Sequence, residues 1–524
     1  MVFSTIYFTF LFLPILLGVY FLAKERYRNG ILLVASIFFY AYGEPKFVFV
    51  MLLSILMNYL FALAIGAERR KLVQTEHCEG LVSPKYHVSA GAADTDHKAS
   101  VSSKVDSADQ DRKVSVSSKA ASGMRLLLIL DIACNLGIFF VFKYLDFAIG
   151  TVNALAGVDF PLKNIALPIG ISFFTFQALS YVIDVYRGDA APQKNLGKVA
   201  LYISLFPQLI AGPIVRYKEV AAQIDHRTVT FEDFGYGVKR FILGFGKKVL
   251  IANNMALIAE PIYGVQEPGM YPIALLWLGV ITYGIQIYFD FSGYSDMAIG
   301  LGRMFGFRFE ENFNYPYISR SFSEFWRRWH MSLGRWFRDY VYIPLGGSRK
   351  GTGRQVFNLF VVWLLTGIWH GANWTYIVWA LSFFIGQMLE KFLVKPEKRK
   401  NPLITVLWTI VTLVGVTFLW GIFTAKDLSS GLHYCACLLG IGTADIGLRS
   451  PLMIKNLQEY WFFLLAGILF CTPVLPGLDR LTDRSAFLKK AKTIVVPAGY
   501  LFIFLWAVSY LLLGAHNPFI YFNF

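Results

Sequence analysis

The chain has 524 residues, of which 56% are hydrophobic, 17% aromatic and 16% charged, whereas a soluble domain carries about a quarter charged residues. Apolar runs recur along nearly the whole length, and a bilayer crossing takes about 20 residues; a soluble fold has no place for them, so the expected class is an all-α polytopic integral membrane protein. The net charge of +15 does not point to nucleic acid, because the cations cluster in short loops and at helix ends, where the positive-inside rule and anionic headgroups account for them.

The first apolar run, 5–23, starts uncharged and is followed by Lys24, Arg26 and Arg28. It reads as a retained span with its N-terminus outside and its basic end in the cytoplasm. Spans over about 30–43 and 47–66 return the chain to the cytoplasm at Arg69-Arg70-Lys71. Residues 68–123 then change character. Large apolar residues nearly vanish, and DTDHKASVSSKVDSA (94–108) is followed directly by the similar DQDRKVSVSSKAASG (109–123). Such a stretch cannot bury enough apolar surface to offset its ordering entropy. It reads as a disordered cytoplasmic insertion between 1–67 and 124–524, which together form one membrane domain. His77, His87 and His97 lie in it at ten-residue intervals, a composition that gives metal binding little weight.

Further candidate spans are 124–143, 164–186, 197–215, 236–262, 272–302, 355–379, 402–423, 431–442, 456–475 and 492–513. The expected total is roughly 10–13 membrane segments, some re-entrant or broken at Gly or Pro, which a bilayer tolerates only where protein or a water-filled cavity covers the backbone. FPQLIAGPIVR (206–216) is such a stretch, either a broken segment or a simple kink. The cysteines, Cys78, Cys134, Cys435, Cys437 and Cys471, are scattered and odd in number. They fit no disulfide framework or zinc pattern and read as small buried hydrophobes. No metal site is expected.

Ionisable residues at membrane depth default to functional or paired sites. Asp290 and Asp296 lie in GIQIYFDFSGYSDMAIG (284–300), and Gln286 precedes Asp290 by one turn on the same face. They either line a polar cavity or serve as structural partners for the arginines at 320–338, and the second reading is preferred. Asp184 and Arg187 read as a structural pair near a span end, and Asp131 as a residue near the interface.

Residues 322–379 carry the densest chemistry. On a continuous helix from Phe322, the residues Phe325, Trp326, Trp329, Leu333, Trp336, Phe337 and Tyr340 fall within about 60° of Phe322. Glu324, Arg327, Arg328, Arg335, Arg338 and Asp339 fall opposite. This is an amphipathic helix for the membrane interface, or the wall of a charged funnel whose arginines meet phosphates of an acyl donor. His330 sits at the edge of the apolar face, where a structural role is the ordinary reading. Gly346-Gly347 makes a turn in the basic loop YIPLGGSRKGTGR (342–354). The run NLFVVWLLTGIWHGANWTYIVWA (358–380) then holds His370 in its apolar middle. Gly367 and Gly371 flank it and permit close approach. On a continuous helix Asn373 shares its face and could orient the imidazole or bind a carbonyl oxygen, with Thr366 one turn the other way. These features favour function over a histidine bonded to a neighbouring helix.

FWRRWHMSLGRWFRDYVYIPLGGSRKG and TGIWHGANWTYIVW together resemble the membrane-bound O-acyltransferase (MBOAT) family. Within it they are most similar to the bacterial alginate O-acetyltransferase AlgI-like branch, to which the teichoic-acid D-alanylation protein DltB is a cousin. SIFFYAYGEPKF (36–47), PIGISFFTFQALSYVIDVYRG (168–188), LFPQLIAGPIVR (205–216), YFDFSGYSDMAIGLGRMFGF (288–307) and NPFIYFNF (517–524) carry the likeness over nearly the whole chain outside the insertion. The resemblance implies a ring of membrane helices around a thinned centre, in the cytoplasmic membrane of a bacterium. It implies an acyl donor from the cytoplasm and an acceptor reached from outside. His370, in WHG, matches the family's catalytic histidine, and His330, in RRWHMS, the second, supporting one.

The expected reaction is O-acyl transfer from acetyl-CoA or another acyl thioester, a substrate rather than a permanently bound cofactor. The acceptor is an alginate-like cell-surface or secreted polysaccharide, reached directly or through an extracellular or periplasmic acetyltransferase- or esterase-like partner. His370 acts as general base, an ordinary imidazole pKa of about 6.5 suiting neutral pH; an acyl-histidine intermediate is the rival. Asn373 or a backbone amide would stabilise the oxyanion. Trp369, Arg328, Arg335, Arg338, Asp339, Asp290 and Gln286 are the further candidates for lining the substrate path. Other acceptors are teichoic acid, with D-alanyl as the acyl group, peptidoglycan and cellulose. Readings from another class are a transporter or a non-catalytic scaffold of a polysaccharide-export complex.

Overall fold

Residues 2–80, 107–264, 267–395, 401–443, 447 and 450–520 are described by the computed structural model. Among them the secondary structure is helical, with no strand. Seven helices are long and apolar enough to cross a bilayer: Val48–Leu72, Ser118–Lys143, Phe231–Tyr263, Ile273–Met304, Trp374–Val394, Pro402–Phe423 and Ala486–Leu512. Pro451–Phe470 and Val474–Thr482, bent by 73°, make an eighth if taken as one span. Apolar side chains such as Phe49, Leu403, Ile494 and Phe502 point outward from these helices.

Among the described residues, several of the 10–13 segments expected are short or broken, as the Gly and Pro in them suggested, because their apolar runs do not form one helix each. The run 197–215 becomes the short helices Leu196–Ser204 and Phe206–Leu209, then buried non-helical chain. Leu205 leaves helical geometry between them, and Pro207 lies in the first turn of the second. The run 164–186 is helical only from Ile171, after Pro168 and a left-handed Gly170 at φ 78°. A Cβ at Gly170 would lie 2.7 Å from the Leu209 carbonyl oxygen, so this turn and the broken 206–216 stretch pack directly on each other. Helix also enters both ends of the Ser/Lys-rich insertion, to Gly80 and from Ser107; its remainder, 81–106, lies outside the described residues.

The helices Phe231–Tyr263 and Ile273–Met304 form the central antiparallel pair. Small residues let the two backbones approach. A Cβ on Gly237 would lie 2.6 Å from the Gly300 carbonyl oxygen, and one on Gly300 2.6 Å from that of Gly237. A π-helical turn over Lys247–Ala252 interrupts the first helix. Its two consecutive lysines reach the two acidic residues of the second helix, Lys248 to Asp290 and Lys247 to Asp296, each at 2.7 Å. Arg240 also meets Asp296, at 2.7 Å. The partners of these carboxylates therefore come from the helix packed closest, and not from the arginines at 320–338.

Two other pairings differ from expectation. Asp184 accepts from the Tyr340 hydroxyl (2.8 Å) and Arg187 donates to the Asp339 carbonyl (3.0 Å); both tie their helix to the 322–342 segment instead of to each other. Asp131 is fully buried between helices, one turn from Asn135, whose side-chain amide pairs with that of Asn58 at 3.1 Å. At the other end of the chain, the segment after Leu512 returns into the molecule. Asn517 donates to the Ser4 carbonyl (2.8 Å), and the Ile520 N–H donates to Asp290 (2.9 Å).

Candidate active site

The 322–342 segment is not one helix. Phe322–Arg328 and Met331–Phe337 are separate, and His330 between them has φ 44° and ψ 52°, the left-handed region that histidine enters more readily than most side chains. Asn312 holds this break. Its backbone carbonyl accepts from Met331 N–H (2.9 Å), and its side-chain oxygen accepts from Ser332 N–H (3.1 Å) and the Ser332 hydroxyl (2.9 Å). A backbone N–H can only donate, so the amide orientation of Asn312 is fixed, with its NH2 donating to Ser295 (3.1 Å). The same oxygen lies 3.2 Å from His330 Nδ1, which therefore carries the ring proton. Nε2 is left as the acceptor, buried and without a hydrogen-bond partner among the described residues.

The apolar set chosen on a continuous helix is nevertheless inside: Phe325, Trp329, Leu333, Trp336, Phe337 and Tyr340 are buried. Most of the charged set is committed within the protein. Arg328 pairs with Glu324 (2.8 Å), Arg335 with Glu310 (2.7 Å), and Asp339 with Arg216. Arg338 is exposed. Of the four charged residues of this segment proposed to line a substrate path, three thus already hold carboxylate or guanidinium partners.

His370 is the last residue of the helix Thr352–His370. The chain breaks at Gly371, where the backbone is extended, and helix resumes at Trp374. This corrects the placement of Asn373. It does not share a helix face with His370; it caps the next helix, accepting from Thr375 N–H (3.1 Å) and donating to the Lys426 carbonyl (2.8 Å). Thr366 bonds back to Val362 within its own helix (2.8 Å). Neither flanking glycine has room for a side chain: a Cβ at Gly371 would enter the ring of Tyr376, and one at Gly367 would lie 2.9 Å from the backbone of Ile377.

The His370 imidazole, 7% exposed, stands edge-on to three aromatic rings, with centroids at 5.0 Å for Trp369, 5.1 Å for Trp379 and 5.5 Å for Phe423. Trp369 is also the neighbour of His330, at 5.8 Å. The two histidines, forty residues apart in sequence, thus converge on one indole. Trp369 is itself fixed by Phe173 and Phe176 and by donation from Nε1 to the Ser172 carbonyl (3.3 Å).

Beside this box lies a cavity of about 320 Å³ lined by Glu260, Tyr283, Gln286, Asn373, Tyr376, Phe423 and Lys426, among others. Phe423 is shared: one side of it meets His370, and it also lines the cavity. Gln286 is 2% exposed, and its side-chain oxygen has no hydrogen-bond partner among the described residues. Asp290, one turn on, is spent on Lys248 and the Ile520 N–H. The structure thus brings His370, His330, Trp369, Asn373 and Gln286 around one region. It places Arg328, Arg335, Asp339 and Asp290 in ion pairs.

Sequence reasoning missed three residues here. The sequence reading assigned no role to Asn312. Nor did it assign one to Lys143 and Tyr144, at the end of the expected span 124–143, which bond the backbone around His370.

Comparison with known proteins agrees with this arrangement. The membrane-bound O-acyltransferase family matches residues 193–433, a range that holds both histidines. The chain is 38% identical to the probable alginate O-acetylase AlgI of Pseudomonas putida over 546 aligned residues, covering 100% of both. It is 41% identical to the corresponding protein of Pseudomonas aeruginosa over 464 residues, covering 87% of this chain and 78% of the relative. It is 28% identical to the peptidoglycan O-acetyltransferase of Helicobacter pylori over 574 residues, covering 100% and 98%. This chain is therefore a member of the membrane-bound O-acyltransferase family, an all-helical, multi-pass membrane enzyme that transfers acyl groups.

Proposed function

We propose that the protein moves an acetyl group from a cytoplasmic thioester, acetyl-CoA or a related acyl donor, to a hydroxyl of a cell-surface or secreted polysaccharide, with His370 as the general base. The observation that carries this reading is the convergence of His370 and His330 on Trp369 beside a cavity with polar groups in its wall. The names of the relatives support acetyl as the acyl group and alginate as the acceptor class. Peptidoglycan is the second acceptor reading, because a peptidoglycan O-acetyltransferase aligns along the whole chain.

In the proposed step the acceptor hydroxyl attacks the thioester carbonyl carbon, and its proton passes to the neutral imidazole of His370. The tetrahedral intermediate collapses as the C–S bond breaks. The thiolate leaves and takes the proton back from the imidazolium, giving the O-acetyl ester and free thiol. The lone pair on His330 Nε2 accepts a hydrogen bond from donor or acceptor and holds it in register. Asn373, on the cavity wall, and Gln286, with a buried oxygen to offer, suit an acceptor rich in hydroxyls.

The ion-paired end of the central helices, with Arg240, Lys247, Arg303 and Arg308, suits the cytoplasmic side of a bacterial inner membrane by the positive-inside rule. Glu260 and Tyr263, at the opposite end of the same helix pair, line the cavity, which makes it the acceptor's port. The same rule puts the N-terminus outside. A partner protein outside the membrane would complete delivery to the polymer.

The test uses purified full-length protein in nanodiscs with acetyl-CoA labelled in the acetyl group. Thioester cleavage and label transfer to alginate oligosaccharides or to peptidoglycan fragments are followed for the wild type, His370→Ala and His330→Ala. Loss of turnover in a folded His370→Ala protein is expected. Full turnover in that variant would remove His370 as the base.

A further inference from the structure

A helix ends with four carbonyls that find no partner within it. For Thr352–His370 these belong to Gly367, Ile368, Trp369 and His370, in a low-dielectric setting where each orphan is costly. All four are satisfied, and three of them by two adjacent residues of another span. Gly367 accepts from Gly371 N–H at 3.4 Å. The Tyr144 hydroxyl shares its one proton between the Ile368 carbonyl and the Gly371 carbonyl, the latter at 2.9 Å. The Lys143 ammonium donates to the Trp369 carbonyl at 2.7 Å and to the His370 carbonyl at 3.0 Å, and its third proton goes to the Ser172 hydroxyl at 3.2 Å.

We propose that Lys143 and Tyr144 are positioning residues that clamp the backbone on both sides of the His370 imidazole; this rests on the reading of His370 as the base. Three features support the clamp. An ammonium group has three protons, and here three acceptors of the protein take them, so Lys143 has none left over for a hydrogen bond to substrate. A cation at a helix C-terminus also opposes the negative end of the helix dipole, at the point where His370 ends its helix. Finally, Ser172, the third acceptor, also offers its carbonyl to Trp369 Nε1 (3.3 Å). The same anchor therefore sets the indole on which both histidines pack. The chain around His370 lacks a helical continuation at Gly371, and its geometry is supplied from the end of the span Ser118–Lys143.

The test compares Lys143→Met, Lys143→Arg and Tyr144→Phe in the full-length protein in nanodiscs, with His370→Ala alongside. Amide hydrogen exchange by mass spectrometry is read over residues 366–373 and over Phe231–Tyr263, and turnover is read with acetyl-CoA. In Lys143→Met we expect exchange over 366–373 to rise about tenfold, with no change over Phe231–Tyr263. Its kcat should fall about tenfold or more, with KM for acetyl-CoA within about twofold of wild type. Lys143→Arg, which keeps charged donors, should recover part of the kcat. Tyr144→Phe, a milder change should Lys143→Met fail to fold, should raise exchange in the same stretch by a smaller factor.

Unchanged exchange over 366–373 in both Lys143→Met and Tyr144→Phe would overturn the clamp. So would a rise of equal size over Phe231–Tyr263, which would mean general loosening. Wild-type turnover in His370→Ala would instead remove the function assigned to His370 and leave the exchange result standing, so the two failures are distinguishable.

Discussion

The side-chain oxygen of Asn312 lies 3.2 Å from Nδ1 of His330 and also takes the backbone N–H of Ser332 at 3.1 Å. One amide oxygen thus fixes the turn that carries the histidine and the tautomer of its ring. Replacing Asn312 by Leu would leave the Ser332 N–H and the His330 N–H unsatisfied in a buried site, at about 1–3 kcal/mol for each group. The expected outcome is a lower melting temperature in detergent and a loss of acetyl-CoA turnover on the order of 100-fold, the scale for misplacing a reacting group by about 1 Å. Asn312→Asp keeps an acceptor oxygen and should lose less. Wild-type turnover in Asn312→Leu would refute a role for the His330 tautomer.

The reach of the sequence stops where a helix stops. Hydropathy located six of the seven long spans, because their signal is continuous; the seventh, Trp374–Val394, was missed because the apolar run 355–379 was carried straight through the break at Gly371. The periodicity from Phe322 to Tyr340 selected the residues that are buried, although the helix is broken at His330. A break taken through a left-handed residue can preserve which side chains face inward, so the wheel chose the buried set correctly while misplacing its axis. At Gly371 the same assumption failed. Asn373 was put on the imidazole's face because glycine alone does not announce a helix end, and the close approach of Tyr376 to Gly371 is a tertiary contact. Likewise, Lys143 has the sequence signature of a lysine at a membrane face. Only the fold shows that its charge is directed at carbonyls of another helix. Asp290 was recognised as needing a partner, but nothing local in the sequence could distinguish Lys248 from the arginines at 320–338.

Lys248 and Asp290 meet at 2.7 Å with side chains 2% and 3% exposed. Removing one member of such a pair costs about 3–5 kcal/mol because the other charge stays buried, whereas replacing both by apolar residues is often neutral. Lys248→Met and Asp290→Leu should each lower thermal stability strongly. The double variant should recover most of that loss. Recovery should remain partial, since Asp290 also holds the Ile520 N–H and Lys248 also donates to the Pro518 carbonyl and to Asn253. Melting curves of the two single variants and the double one form a cycle that measures the coupling. Additive losses would show that the pair contributes nothing as a pair.

Gly371 and Gly367 flank His370, and they resist a side chain for different reasons. At Gly367 a Cβ would lie 2.9 Å from Ile377 Cα and 2.9 Å from the Tyr376 carbonyl oxygen, so two backbones would have to separate. At Gly371 the conformation is extended, at φ −174°, which any residue adopts, and the obstacle is the Tyr376 ring. That ring can move, but it lines the cavity beside Phe423. Gly367→Ala should therefore act chiefly on stability. Gly371→Ala should fold with a modest loss, of about 1–3 kcal/mol as for other overpacked sites, while displacing Tyr376 from the cavity wall. The expected signature of Gly371→Ala is a loss of label transfer to the polysaccharide that exceeds the loss of thioester cleavage, because the ring stands on the proposed acceptor side. Tyr376→Ala carries its own cost, but in that background Gly371→Ala should cost less stability than it does alone, because the clash is gone. Equal losses of cleavage and transfer, or the same stability cost in both backgrounds, would mean that Gly371 is required for something other than making room for Tyr376.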